Sequence, residues 1–139
     1  MTKDPDCIFC KIANGDIPSD TVFENEEFRV ILDLNPATKG HALVLPKYHF
    51  TNIYDMESGY TGRAFETARS VALAMKNGLN CEGVNVIQNN EALAGQSVFH
   101  FHIHVIPRYK DDGQQVLWKP GKSDPEEQKK LAETIGNAM

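Results

Sequence analysis

Phe99-His100-Phe101-His102-Ile103-His104-Val105-Ile106, written FHFHIHVI, sets three of the chain's five histidines at alternate positions among large apolar residues. Strict alternation over eight residues is the period of a half-buried β-strand, whose successive side chains point to opposite faces. The pattern predicts that Phe99, Phe101, Ile103 and Val105 face a core while His100, His102 and His104 share the other face. At a rise of about 3.3 Å per residue, neighbouring histidines sit roughly 6.6 Å apart and the outer two roughly 13 Å apart. Two neighbours can converge on one atom, and three cannot. A three-histidine zinc centre is therefore excluded, because Zn–N bonds of about 2.0 Å would force the outer pair across the middle one. Three imidazoles in register point instead to catalysis, with one acting and the others orienting it, touching substrate or binding something else.

The rest of the chain sets bounds on that chemistry. Its 139 residues are 41% hydrophobic and 24% charged, which fits one globular domain. No segment approaches eighteen uninterrupted apolar residues, and the opening MTKDPDCIFC lacks a basic-then-apolar signal pattern. A cytoplasmic protein with no membrane partner is expected. The net charge of −5 argues against a broad nucleic-acid surface, though a small nucleotide held locally fits. Cys7 and Cys10, spaced C-x-x-C, read as metal ligands or a redox pair, and Cys81 as an inert thiol.

Short elements joined by turn signals follow one another. A helical turn over Ile8 to Ala13 ends at Asn14-Gly15. TVFE and FRVILDL, separated by NEE, read as a hairpin, and HALVLP as an apolar strand stopped by Pro46. One long helix is predicted from about Tyr60 to Asn77, with Phe65, Ala68, Ala72, Met75 and the flanking Leu79 on its buried face and Gly78 as a left-handed stop. GVNVIQ is a further strand. After Trp118, Ser123 and Glu126 read as a capping box that opens an amphipathic helix with Leu131 and Ile135 on one side, on the surface or on a partner subunit. The expected class is α+β: about five antiparallel strands, one long helix, a short N-terminal helix and a C-terminal helix. Residues 1–121 hold the domain and residues 122–139 a helical extension.

His100 to Ile106 fits the pattern His-φ-His-φ-His-φ-φ, with φ apolar, at every position. CIFCKI, GDIPSD, FRVILDLNPATKGHALVLPKYH and NVIQNNEALAGQSV precede it in the order found in the histidine-triad (HIT) family, which the chain resembles nearly throughout as far as Arg108. The resemblance is strongest to the Hint-like branch and its bacterial relatives, and it implies a HIT-like fold. The implied chemistry is transfer or hydrolysis at the α-phosphate of a nucleoside 5′-phosphate derivative, through a nucleotidyl-histidine. His102 would be the nucleophile. His104 and His41 match positions that contact the α-phosphate or assist orientation and proton transfer. Gln96 and Ser97 match contacts to phosphate and leaving group, and Asn89 a phosphate contact. Asp33 matches the acid that takes the ribose hydroxyls, and an acid between two apolar strand residues is costly unless paired or open to a cleft. Ile8, Phe9, Ile12, Ile31 and Leu34 match the lining of the base pocket, though each would serve equally in a core.

The resemblance also implies one structural zinc per chain on Cys7, Cys10, His49 and His100, and no metal in the chemistry. The expected function is hydrolysis of purine (adenosine-type) nucleoside 5′-phosphoramidates by a homodimer, with Trp118 reaching across the dimer. The alternatives are a dinucleoside polyphosphate hydrolase and a nucleotide-binding regulatory protein with little turnover. The sequence departs from the animal Hint-like proteins in VIPRYKDD, which stands where they have Gly-Gly, and in the C-terminal helix.

Overall fold

Alternation of apolar residues builds one five-stranded sheet: β1 (Thr21–Glu24), β2 (Phe28–Leu32), β3 (Ala42–Pro46), β4 (Gly83–Ile87) and β5 (Ile103–Arg108). The computed structural model describes residues 1–115 and 117–139. The strand order is β1-β2-β3-β5-β4, with every neighbouring pair antiparallel. The helices are α1 (Ile8–Ala13), α2 (Tyr60–Gly78) and α3 (Pro125–Ala138). None is long and apolar enough to cross a membrane among the described residues. The expected class and element set are borne out.

The central strands β2, β3 and β5 divide their side chains between two layers, as period two requires, while β1 at the sheet edge is exposed throughout. Phe28, Val30, Ala42, Val44, Phe101, Ile103 and Val105 pack with α2 on one face. Ile31, Leu43 and Leu45 point to the other face, where Ala13, Phe9 and Ile12 of α1 cover them. His104 sits between Ile103 and Val105 in β5 and so belongs to the α1 face. That face holds the site.

Several local expectations are corrected. The triad strand is shorter than its alternation: β5 begins at Ile103, and Phe99 is 47% exposed. Pro46 supplies the reason. Lys47 N–H bonds Glu27 O on the β2 side, so by alternation the Pro46 nitrogen and carbonyl face β5. Proline has no N–H to continue that ladder, and its carbonyl instead accepts His100 Nε2–H at 3.0 Å.

Helix α2 buries Tyr60, Ala64, Ala68, Val71 and Met75. Phe65, one step of about 100° round from Ala64, is 39% exposed. Leu79 is 42% exposed as well, and Ala72 only flanks the core. Small Ala64 and Ala68 allow close approach to the sheet, which the larger Phe65 would prevent. Gly78 stays helical, and Asn80 takes the left-handed conformation at φ 54°, which its short polar side chain tolerates. At α3 the cap is Asp124 rather than Ser123. Its carboxylate accepts Glu126 N–H at 3.0 Å, and Pro125 occupies the first turn, where its missing N–H costs nothing. Every residue of α3 is exposed, Leu131 and Ile135 included.

Gly40 closes the loop between β2 and β3 at φ +93°, and a Cβ there would stand 2.7 Å from Leu79 Cδ1 and 3.4 Å from Pro107 Cγ. The Leu79 terminus can rotate away, so the left-handed backbone is the larger obstacle. Gly40→Ala is expected to cost about 1–3 kcal/mol of stability, measured as the shift in urea midpoint at constant slope.

Candidate active site

Helix α1 does not lie flat on its face of the sheet. Between it, the loop after it and strands β2, β3 and β5 runs a cleft of about 790 Å³. Ile8, Phe9, Ile12, Ile31, Leu34, Asp33, His41, Ser97, His102 and His104 all line it, so ten residues singled out in the sequence converge. Leu34, 87% exposed, and Ile8, 53% exposed, stand at its rim. Two of the predicted nucleotide contacts, Gln96 and Asn89, are not among the lining. Gln96 is buried with every side-chain atom engaged: its carbonyl accepts Glu91 N–H at 2.8 Å, and its amide donates to Thr51 O at 2.7 Å and Val98 O at 3.1 Å. It shapes the loop that carries Ser97. Asn89 packs beneath Gly95 of the same loop.

The tautomer of each histidine follows from its partners. His102 Nδ1 lies 2.7 Å from the His100 carbonyl, which only accepts, so the proton is on Nδ1 and the Nε2 lone pair is free. Phe9 stands edge-on to the ring, with centroids 5.1 Å apart. His41 Nδ1 accepts Ala37 N–H at 2.9 Å, which leaves its proton on Nε2. His41 Nε2–H then donates to His104 Nδ1 at 2.9 Å, and His104 keeps its own proton on Nε2. The Asp33 carboxylate takes Asn35 N–H on Oδ1 at 2.9 Å and brings Oδ2 to 3.7 Å from His41 Nε2.

Burial holds these rings neutral. Desolvation, seconded by His102 and His41 and opposed by Asp33, pushes the His104 pKa down to about 4. Burial also lowers His102, against the pull of the His100 carbonyl and Asp33. It lowers His41, again against Asp33. The pocket thus sets a nitrogen lone pair beside a neutral N–H donor and a carboxylate, with an apolar wall at the α1 end.

A second cluster lies behind the triad. The ligating atoms of Cys7, Cys10, His49 and His100 all fall within 4.8 Å of one another. His100 donates Nε2–H to Pro46, so its Nδ1 lone pair faces Cys7 Sγ at 3.4 Å and Cys10 Sγ at 3.5 Å, while His49 Nδ1 is 3.6 Å from Cys10 Sγ. Tetrahedral zinc with bonds of about 2.3 Å to sulfur and 2.0 Å to nitrogen spaces those ligands about 3.5 Å apart. The donor set and its spacing fit zinc. Without a cation, burial pushes the Cys10 thiol up to about 11. Asp33, His41 and His104 are equally close together, but His41 presents a proton rather than a lone pair on Nε2 and does not fit as a ligand.

Sequence reasoning left several residues without a role. Leu43 lines the cleft from between two core residues of β3, and period two would have placed it there. Ile17, Pro18, Ser19 and Asp20, in the loop after α1, also line the cleft. Ala37 contributes through its backbone N–H, which side-chain identity does not signal.

The chain is similar to known proteins over nearly its whole length. The HIT domain matches residues 14–111. Protein hit of Bacillus subtilis is 41% identical over 136 residues, spanning 96% of this chain and 94% of that protein. The adenosine 5′-monophosphoramidase HNT1 of Saccharomyces cerevisiae is 39% identical over 124 residues, spanning 88% and 76%. The crystal structure of a HIT family protein from Bacillus anthracis superposes with a TM-score of 0.90 at 38% identity, covering 97% of this chain and 98% of that one. A zinc-bound histidine triad family protein from Mycobacterium smegmatis gives 0.76 at 34% identity, covering 96% and 98%.

The neutral histidines make stability pH-dependent. The unfolded chain protonates its imidazoles near their ordinary value of about 6.5, whereas folded His104 resists until about 4. Unfolded protein therefore binds more protons in that window, so the His104 contribution is complete above about pH 6.5 and drains away as pH falls toward 4. Urea midpoints across this range should fall less steeply in His104→Asn than in the parent. Parallel curves would show that His104 titrates normally.

Proposed function

The chain belongs to the HIT domain family, and on that premise we propose that it hydrolyses nucleoside 5′-phosphoramidates, adenosine-type purine compounds first, through a nucleotidyl group carried on His102. One observation carries the reading. The nucleophilic Nε2 of His102 is free and faces the cleft because Nδ1–H is bound to the His100 carbonyl.

In the first half-reaction His102 Nε2 attacks the α-phosphorus and the bond to the leaving amine breaks. The amine takes up a proton relayed from solvent by the exposed Ser97 hydroxyl at the mouth of the cleft. In the second, water attacks the same phosphorus, loses its proton to solvent, and returns the electron pair of the P–N bond to His102. His104 stabilises the phosphoryl oxygens by donating Nε2–H. A neutral imidazole is too weak an acid to surrender that proton, so His104 is a hydrogen-bond donor and not a general acid. His41 orients it. Asp33 receives the ribose hydroxyls, and Ile8, Phe9, Ile12, Ile31 and Leu34 enclose the base. No role in phosphate contact is assigned to Gln96, whose side chain is fully engaged, or to Asn89.

The charge of the lining favours phosphoramidates over dinucleoside polyphosphates. Asp20 and Asp33 are its charged groups among the described residues, and the imidazoles beside them are neutral. A polyphosphate tail would bring several negative charges toward two carboxylates, whereas a leaving amine is neutral or cationic. The phosphoramidase name of the yeast relative supports the same choice.

Zinc, one per chain on Cys7, Cys10, His49 and His100, is read as a structural crosslink between α1 and the sheet, supported by ligand spacing and by the zinc-bound relative. Residues 1–121 are read as the catalytic domain and 122–139 as an extension that packs on a second copy. Exposed Trp118, Leu131 and Ile135, together with the outer edge of β4, support a homodimer. Ligand thiols fit the reducing cytoplasm.

Two measurements test these readings. His102→Ala is expected to abolish turnover of an adenosine phosphoramidate while binding of adenosine monophosphate persists, and the parent should cleave that substrate at least about tenfold faster than diadenosine tetraphosphate. Turnover near the parent value in His102→Ala, or a reversed preference, would refute the assignment. For zinc, elemental analysis of protein kept reduced should find one metal per chain, and Cys7→Ser with Cys10→Ser should lower both the metal content and the melting temperature. An unchanged melting curve after the zinc is lost would rule out the crosslink.

A further inference from the structure

The turn from Arg108 to Gln114, which continues the departing VIPRYKDD segment, supplies no residue to the cleft lining and yet reaches the loop that sets the histidine tautomers. Asp112 organises it. Its carboxylate accepts Arg108 Nε–H at 2.8 Å and Nη2–H at 3.0 Å, Tyr109 N–H at 3.0 Å and Gln114 N–H at 3.0 Å. Arg108 anchors the turn to β4 through Asn85 Oδ1 at 2.9 Å and also donates to Gln114 O at 2.6 Å.

The organised turn faces the loop between β2 and β3, Asn35-Pro36-Ala37-Thr38-Lys39-Gly40. Its backbone is closed by His41 N–H to Thr38 O at 3.1 Å and Asp33 N–H to His41 O at 2.9 Å, and Pro36 has no N–H. Three further bonds tie it to the end of β5 and the turn beyond. Gln114 Nε2–H donates to Ala37 O at 2.9 Å, Tyr109 O–H donates to Lys39 O at 2.6 Å, and Thr38 Oγ1–H donates to Pro107 O at 2.6 Å. The first and second fix the carbonyls on either side of Thr38, and the first acts on the residue whose N–H bonds His41 Nδ1.

We propose that Gln114 and Tyr109, held by the Arg108–Asp112 pair, are positioning residues for the reaction: they clamp Ala37 so that its N–H fixes the tautomer of His41 and, through His41, directs the Nε2–H of His104 into the cleft. The consequence for catalysis rests on the reading of His104 as the phosphate-side donor. The effect on the tautomers does not. With the clamp released, Ala37 N–H leaves His41 Nδ1, either nitrogen of His41 can hold the proton, and the His41–His104 bond loses its single direction. In the fraction where His104 protonates Nδ1, Nε2 meets a phosphoryl oxygen with a lone pair instead of a donor.

The test compares Tyr109→Phe, Gln114→Met and the double variant with Gln114→Lys, which restores an N–H donor of sufficient reach. Long-range nitrogen–proton correlation spectra of histidine-labelled resting protein read the tautomers without substrate. The expected result is that the His41 and His104 signals move from the Nε2–H pattern toward exchange between tautomers in the double variant. Its kcat for an adenosine phosphoramidate should fall about ten- to a hundredfold with KM within about twofold, and Gln114→Lys should recover most of the rate. A double variant with parent tautomers, or with a lowered melting temperature and an unchanged kcat per folded chain, would overturn the proposal by reducing the clamp to a stability contact. If the double variant does not fold, Tyr109→Phe, which deletes one oxygen, answers the same question by the same spectra. Tautomers that shift in a protein with no turnover in any form would leave the clamp standing and remove the function it was read to serve.

Discussion

A neutral imidazole holds one proton on one of two nitrogens, and in this protein backbone groups decide which. His100 gives Nε2–H to the Pro46 carbonyl and turns its Nδ1 lone pair to the thiols. His102 gives Nδ1–H to the His100 carbonyl and turns Nε2 to the cleft. His41 accepts Ala37 N–H on Nδ1 and presents Nε2–H to His104. Because burial keeps the rings neutral, these choices are not blurred by protonation at pH 7. Three chemically identical side chains two residues apart thereby present a lone pair to the thiols, a lone pair to the cleft and an N–H donor.

The same constraint links parts of the chain that are far apart. Helix α1 is six residues long, too short to persist alone, and is held from two directions. Cys7 and Cys10 face His100 and His49, while Phe9 and Ile12 pack on Leu43 and Ile31. Phe9 touches both His100 and His102 edge-on, with centroids 6.0 Å and 5.1 Å apart. Displacing α1 would disturb the wall of the cleft and the His102 ring together.

Much of this was legible in residue order. Period two in FRVILDL, HALVLP and HIHVI separates the α2 face from the cleft face, and the histidine set, the thiol pair and Asp33 stand out by residue type. What was lost depends on contacts distant in sequence. The alternation of FHFHIHVI runs past the end of β5, because the missing ladder bond belongs to Pro46 on another strand. Phe65 looks like core by hydropathy, yet close helix–sheet packing favours Ala64. Gln96 carries the right chemistry for phosphate, but three local partners consume it. The Arg108–Asp112 turn and its hold on Ala37 are invisible in sequence, since the acceptors are backbone carbonyls and any residue supplies one.

A site of neutral donors suits the proposed exchange in particular. When imidazole displaces an amine at phosphorus, one P–N bond replaces another, and the charge carried by the phosphoryl oxygens changes little between reactant and nucleotidyl-histidine. A fixed cation would bind both states and the product about equally, which tightens binding without lowering the barrier. An N–H directed at the oxygens as they spread toward the trigonal bipyramid discriminates by position instead. The barrier is then governed by how accurately His104 is aimed. That accuracy passes from His104 to His41, to the Ala37 amide, and to the turn that Asp112 gathers beyond β5.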